Sequence, residues 1–533
     1  MRNIRWIKAV GVMLLAGSLL AACSGSPAPG SSTQGGSSSG SNPSSSSGSG
    51  SAPSTAKKTL VVGAATDIRG WDIHNHNNVH TEAVHQHVFD YLVYYNFDTA
   101  SFDPGLATEW KLVEPTVWEF KLREGVKFSN GEPFDATDVK YTLERVSRDQ
   151  SLREYGSNRT IKEVQIVDDH TVRIVTHDPD PLLLNRLSRI GSGMLPADYI
   201  NQVGMEEFMK NPVGTGAFIL KEWVRDDHVT LVANPDHWRG APSIDELVFR
   251  VLPEEATRIA EIQTGGIDIA LSITADARPA LQNDPNVKLQ EMWGSRVYLM
   301  EISFQDGAKT QDPRVREAIE RAIDKDALIA AVEGGAGIPT RTRLIPGLVG
   351  HTPKYYNTNE LYDPEKAKAL LAEAGYPNGI EIGMVAPSSG NYPLVAQTIQ
   401  GMLEAVGFKV NLEILDTTTF NNRMDAHEVP ELLLIANSNS MKDPDLVFVD
   451  MLPGQSSGEY ENPKVTELVN AGAQEMDPAK RQKIYEELMD VVAEDRPRIY
   501  LYHVASVHGV ANGVDWAPRK DDMYWFHNVS ITE

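Results

Sequence analysis

The chain has 533 residues, 41% hydrophobic and 23% charged: a normal soluble composition, in a length too great for one ordinary core. Its formal net charge of −24, spread without long runs of one sign, excludes a nucleic-acid binder, which must neutralise phosphates with Lys and Arg. Cys23 is the only cysteine, which excludes internal disulfides and multi-cysteine metal sites; neither a P-loop nor H-E-x-x-H is present, and no cofactor is expected.

The chain opens with Arg2, Arg5 and Lys8, then an apolar run over 9–20 that is too short to span a bilayer. Leu20-Ala21-Ala22-Cys23 follows and has the form of a bacterial lipobox. The expectation is a lipoprotein signal peptide over 1–22, cleaved ahead of a lipid-bearing Cys23. The segment 23–56 is almost all Ser, Gly, Pro and Ala, which cannot bury enough surface to fold. It reads as a tether whose roughly thirty flexible residues reach on the order of 30 Å.

Beyond the tether, Thr59-Leu60-Val61-Val62-Gly63 predicts a strand, and 81–95 a helix with Val84, Val88, Tyr91, Leu92 and Tyr95 on one buried face. Trp118, Phe120 and Leu122 alternate along a strand; Ser129-Asn130-Gly131 turns, and Asp135 or Thr137 caps a helix carrying Val139, Leu143 and Val146. A hairpin over 164–176 turns at Asp168-Asp169-His170. Pro212, Gly214 and Gly216 then demand a tight backbone with little side-chain bulk. Strands at 216–224 and 228–233 flank Arg225-Asp226-Asp227, followed by a strand at 247–252, a helix over 254–264 stopped by Gly265-Gly266, and a strand at 267–271. Further on, 296–304 reads as strand, 394–406 as helix, 408–415 as strand and 498–507 as strand. Three helices begin at Asp312-Pro313, Asp363-Pro364 and Asp477-Pro478, a capping residue followed by proline at the first helical position. The shared dipeptide is capping chemistry and not a repeat. Alternating strands and helices predict an α/β protein with mixed sheets.

The stretch PVGTGAF…ANPDHW…PSIDELVFRVLPEEATR…GGIDIA, together with LATEW…WEFKLREGVKFSNGEPFDATDV and the three Asp-Pro helix starts, resembles the extracellular solute-binding proteins of family 5 that serve peptide and nickel ABC importers. The resemblance implies a two-lobed periplasmic-binding-protein-like (type II) fold. The first lobe would comprise 57–92, 211–292 and 503–533, with an extra subdomain, 93–210, inserted in it, and 293–502 would form the second. It implies a monomeric, non-enzymatic receptor on the outer side of a bacterial membrane, in the periplasm or at the cell surface. Such a receptor would close on a small oligopeptide-like solute and hand it to permease subunits with their ATPases. An oligosaccharide, an opine or a nickel chelate are the alternative solutes.

Gly454-Gln455-Ser456-Ser457-Gly458 matches G-x-S-x-G and suggests a secreted serine hydrolase as the rival class. It lacks the strand before and helix after that the nucleophile turn needs, so a loop is the expectation. His74, His76, His80, His85 and His87 crowd one segment; metal binding is weighed against packing there, and packing is preferred. In peptide-binding members of the family an aspartate takes the ammonium group and an arginine the carboxylate. Aligning on Asp443-Pro444 leaves Ser440 where that aspartate is expected, Asn437 where a tryptophan is expected and Asn391 near the arginine's place. The charge pair for a zwitterionic dipeptide is therefore not apparent in sequence. The neutral run Asn437-Ser438-Asn439-Ser440 suits peptide amides or sugar hydroxyls, and Arg296 is the candidate for an anionic group. Trp71, Trp293, Tyr298 and Tyr392 are candidate walls, and with His74, His76 and Asp443 they complete the expected ligand set.

Overall fold

The computed structural model describes residues 58–521 and 523–532, so the signal peptide, Cys23 and the tether lie outside the described residues. Chain contacts separate Met1–Thr55 from Ala56–Glu533, and all described residues belong to the second unit.

One mixed sheet runs through that unit. Its order is Phe408–Leu415, Ile380–Pro387, Leu432–Asn437, Val287–Ile302, Arg498–Ala511, Ile269–Ala270, Thr59–Ala64, Glu246–Val251, His228–Ala233 and Phe218–Val224. Gly337–Pro339 pairs with Arg498–Ala511 off this path. The two long central strands are antiparallel and serve both lobes. Their ladder holds register from Val287 opposite Ala511 to Trp293 opposite Ala505, then resumes at Val297 opposite His503. The interruption separates Val287 and Val507, which pack in one cluster, from Val297 and Leu299, which pack in another.

Alternate residues of these strands point to opposite faces, and each lobe has a core on both. In the first lobe Leu60, Val62, Leu247, Phe249 and Val510 face one cluster, while Ala270, Val287 and Val507 face another with Ile262 and Leu281. In the second, Met300, Leu434 and Ile499 face one side and Val297, Leu299, Leu433 and Tyr500 the other. The four-stranded antiparallel sheet of the 93–210 segment, ordered Ala107–Glu114, Val117–Leu122, Thr171–Thr176 and Ile161–Asp168, has no core of its own. Its Phe120, Val164, Val172 and Ile174 join the first lobe's main cluster.

The expected caps hold. Asp312, Asp363 and Asp477 each accept backbone N–H groups at the start of Pro313–Ala322, Pro364–Glu373 and Pro478–Asp495. Asp135, not Thr137, caps Ala136–Arg148, with Asp138 completing a capping box. Two elements differ from expectation. The helix expected over 81–95 is Val79–Val88, and Val93–Asn96 is a strand. The helix stops because Gly214 and Gly216 cross its end: a Cβ on Gly214 would lie 2.0 Å from the Val88 carbonyl oxygen, and one on Gly216 2.4 Å from that of His87. The Gly216 N–H donates to Val88 O at 2.9 Å, capping the carbonyl by tertiary contact. Second, the strand expected from 296 begins at Val287, because its first half pairs with the chain's last long strand.

Candidate functional site

Where the central ladder breaks, both lobes contribute to one cavity of about 290 Å³. Ser272, Thr274 and Arg278 line it from the first lobe, and Arg296, Glu333 and Asn391 from the second. Tyr298 forms part of the wall; its ring stacks on Tyr502 at 5.2 Å and meets Tyr392 edge-on at 5.2 Å. Burial raises the Tyr298 hydroxyl pKa well above its ordinary value, so the phenol stays neutral. Ser272 holds a positive φ of 59°, a strained backbone turned at the cavity edge.

The charges in this cavity are unequally satisfied. Arg278 pairs with Glu291. Arg296 is exposed and has no ion-pair partner among the described residues. Glu333, at the end of Lys325–Glu333, is only 6% exposed. It accepts a hydrogen bond from the Tyr502 hydroxyl at 3.0 Å and long ones from the Asn391 amide at 3.4 Å, and pairs with no cation among the described residues. Burial raises its pKa above the usual carboxylate value, against the pull of those two hydrogen bonds and the more distant Arg278. A larger cavity of about 600 Å³ is lined by Tyr94, Tyr95, Phe97, Arg239, Trp516 and Trp525, and its Tyr95 and Phe97 pack with the Val297 and Leu299 cluster. The smaller cavity adjoins the break in the central ladder, where a bound solute can favour one arrangement of the two sides over another, and it is the candidate site.

The expected ligand residues fall into two groups. Arg296, Tyr298 and Asn391 line the interlobe cavity, and Tyr392 backs it through Tyr298. Trp293 lies beside it, packed on the Ile262–Leu281 cluster. The remainder are elsewhere. Trp71 is 1% exposed in the first-lobe core, its ring stacked on His85. His74 is fully buried and takes an Arg145 hydrogen bond at 2.7 Å on Nδ1, while Arg145 also pairs with Asp72. In the Asn437–Asp443 loop only Ser438 is exposed. Asn439 closes the loop on itself through the Asp443 carbonyl at 3.0 Å, and its N–H donates to Ser295 Oγ at 3.0 Å. Asp443 is taken by Arg481, at 2.5 and 2.6 Å from its two oxygens. Next to it Lys442 is buried, donating to Ser188 O at 2.8 Å with Asp521 at 3.6 Å; burial brings its pKa down to about 8. Glu333, Arg278, Ser272 and Thr274 are among the lining residues that the sequence did not announce.

His76, Glu82 and His85 place one potential metal-ligating atom each within 4.8 Å of one another, all buried. Their hydrogen bonds run in one direction. The Asn78 N–H donates to His76 Nδ1 at 3.3 Å, which leaves the proton on His76 Nε2, 3.1 Å from His85 Nδ1. His85 Nε2 in turn donates to the Gly70 carbonyl at 2.8 Å. Burial lowers the His76 pKa to about 4, and that of His85 well below the ordinary range, so both rings are neutral in this chain of bonds. A cation there would have to displace the His76 proton or break the Asn78 contact. His87 is also in the core: its Nδ1 donates to Ala83 O at 2.7 Å, and its Nε2 accepts the Phe526 N–H at 3.0 Å. His80 packs beside Tyr524.

Ser456 is buried, and its hydroxyl bonds Glu301 at 2.9 Å, not a histidine. Glu301 also accepts from Gly458 N–H at 3.0 Å and pairs with Arg498 at 3.2 Å. The loop expected there is fastened to the second-lobe core.

Residues 101–459 match the family described as bacterial extracellular solute-binding proteins, family 5, middle region. Heme-binding protein A of Haemophilus influenzae is 28% identical over 530 residues, covering 93% of this chain and 94% of its own length. The dipeptide-binding protein of Escherichia coli is 27% identical over 479 residues, covering 83% and 89% respectively. The solved structure of HbpA2 from Haemophilus parasuis superposes with a TM-score of 0.79 at 25% identity, covering 89% of this chain and all of that one. Two lobes on shared central strands, a cavity between them and a family match across most of the folded part agree: the chain belongs to the family 5 bacterial extracellular solute-binding proteins.

Proposed function

We propose that this protein is the receptor of an ABC importer and captures an oligopeptide-like solute in the interlobe cavity at Arg296, Tyr298, Glu333 and Asn391. The observation that carries the reading is the position of the cavity. It lies where the central ladder loses register between Trp293 and Val297, so a solute bridging Ser272–Ala275 and the second lobe would bias rotation about that irregularity. Its lining sets hydroxyl, amide and charged groups beside apolar Ile273, Val504 and Val507, which suits a solute with polar ends and an apolar body, in keeping with the dipeptide-binding relative. Lobe boundaries fall near 293 and 503, with the 93–210 segment an outgrowth of the first lobe. Lipid on Cys23 would hold the protein at the membrane as a monomer, near the permease that takes up the solute. The Ser456–Glu301 bond supports binding without catalysis.

Native mass spectrometry of the purified protein tests the solute: a released peptide mass on denaturation supports the reading. Peptides that neither co-purify nor bind, with a sugar or metal chelate binding instead, would replace the solute class. Ester or peptide turnover lost in Ser456→Ala would replace the receptor reading altogether. For the anchor, Cys23→Ser should move the protein from the membrane fraction to the soluble one.

A further inference from the structure

The charge pair that sequence alignment fails to find has a counterpart in the cavity, on different elements. Glu333 comes from the end of a helix and Arg296 from the break in the central strand, and Tyr298 lies within electrostatic reach of both. All three line the same space. Elsewhere in the second lobe, buried acids are matched. Asp443 has Arg481, Glu320 has Arg341 and Arg496, and Glu301 has Arg498. Glu333 has hydroxyl and amide donors only, and the one guanidinium beyond them, Arg278, is held by Glu291. A carboxylate removed from water without a cation is costly, and a ligand cation that pairs with it recovers that cost on binding. Arg296 is the complementary case, an exposed guanidinium-bearing residue of the cavity lining with no acid partner among the described residues.

We propose that Glu333 and Arg296 read the two ends of a short zwitterionic solute. Glu333 takes an ammonium group, Arg296 takes a carboxylate, and Tyr298 forms the wall between them. The inference rests on the receptor reading above and names the charge pattern it selects. The neutral Asn437–Ser440 loop then needs no acid, because the ammonium receptor is on another helix. Asp443 is excluded from that role by Arg481.

The test offers the full-length protein a synthetic tripeptide mixture in three forms: free termini, N-acetylated and C-amidated. The bound fraction is read by native mass spectrometry. Capping either terminus should weaken binding about tenfold or more, the usual size of one lost charge-assisted contact. Glu333→Gln should abolish the penalty for acetylation and keep that for amidation; Arg296→Gln should do the reverse. Because each variant is judged by the ratio between its own peptide forms, a loss of stability common to all forms would leave the ratios unchanged. Equal binding of free and capped peptides by the wild-type protein would overturn the charge assignment while leaving the peptide reading in place. If none of the three forms binds, the peptide reading falls and the assignment with it.

Discussion

Asp443 and Glu333 are both second-lobe carboxylates, 3% and 6% exposed, and their surroundings differ in kind. Asp443 gives both oxygens to the Arg481 guanidinium and one also to the Asp445 N–H at 2.9 Å. Glu333 has a tyrosine hydroxyl, a stretched amide contact and a cavity. Equal burial therefore says little about role; the nature of the partner decides it. An acid already matched by a cation holds the scaffold together, whereas one matched only by neutral donors keeps its charge available to a solute. The same division separates Arg481 from Arg296, and the core histidines from the groups that line the cavity.

The largest expected effect concerns inward groups that are buried neutral. Burial lowers the pKa of His74, His87, His503 and His508 to about 3 and that of His76 to about 4, against an ordinary 6.5. Below pH 6.5 the unfolded chain takes up protons that these folded residues refuse. Their contribution to stability is thus complete above 6.5 and lost progressively as pH falls towards 3. Glu82 and Asp138, raised by burial to about 7, act in the opposite sense and stabilise the folded state as pH drops from 7. His80, His85 and His527 are lowered in the same sense and Glu154, Asp268, Glu333 and Asp445 raised in the opposite one, so eight histidines oppose six carboxylates and stability falls by roughly 1–3 kcal/mol per pH unit between 6.5 and 4.5. Thermal unfolding across that range should show a steeply falling midpoint; a flat profile would mean that these histidines are charged or exposed.

Breaking the matched pair comes next. Asp443→Ala leaves Arg481 buried without its acid and should cost ~3–5 kcal/mol in urea unfolding. Glu333→Gln keeps the shape and both neutral contacts, so it should change stability by less than about 1 kcal/mol. If the two substitutions were equally damaging, the distinction between scaffold and solute charge would collapse. Ser456→Ala removes one hydroxyl from Glu301, which retains Gly458 and Arg498, and should cost about 1 kcal/mol with no change in solute capture. Loss of capture in that variant would place Ser456 in the site after all.

Local chemistry was readable wherever the signal was local. The Asp-Pro starts gave three capped helices, and the alternation at Phe408–Leu415 gave its strand with both ends correct. Failures came where a distant segment decides. Nothing in 89–95 announces that Gly214 and Gly216 will cross the helix end, and the buried face of Tyr91, Leu92 and Tyr95 forms anyway, by other geometry. The polar alternation of 287–293 looks weak until Arg498–Ala511 pairs with it. The site was half legible for the same reason. Arg296, Tyr298 and Asn391 were reached through a resemblance that orders the chain, but Glu333 at the end of an apolar helix reads as an ordinary solvent-facing acid. Its burial comes from Tyr502 and Asn391, which are 169 and 58 residues away.

The smallest expected change in stability is the most informative about the opening comparison. Arg296 is exposed and has no ion-pair or hydrogen-bond partner among the described residues, so Arg296→Ala should shift stability by no more than ~0.5 kcal/mol. Yet the same residue faces the cavity at the break between lobes, where a lost guanidinium contact to a carboxylate should weaken capture of free-terminus peptides about tenfold or more. Urea unfolding and peptide titration on one preparation give both quantities. A variant that keeps its stability and loses capture separates the two kinds of charge at a single position. One that keeps both would show that the solute's anionic end lies elsewhere. Arg278 would then be the next residue to substitute, since it lines the same cavity and only Glu291 holds it back.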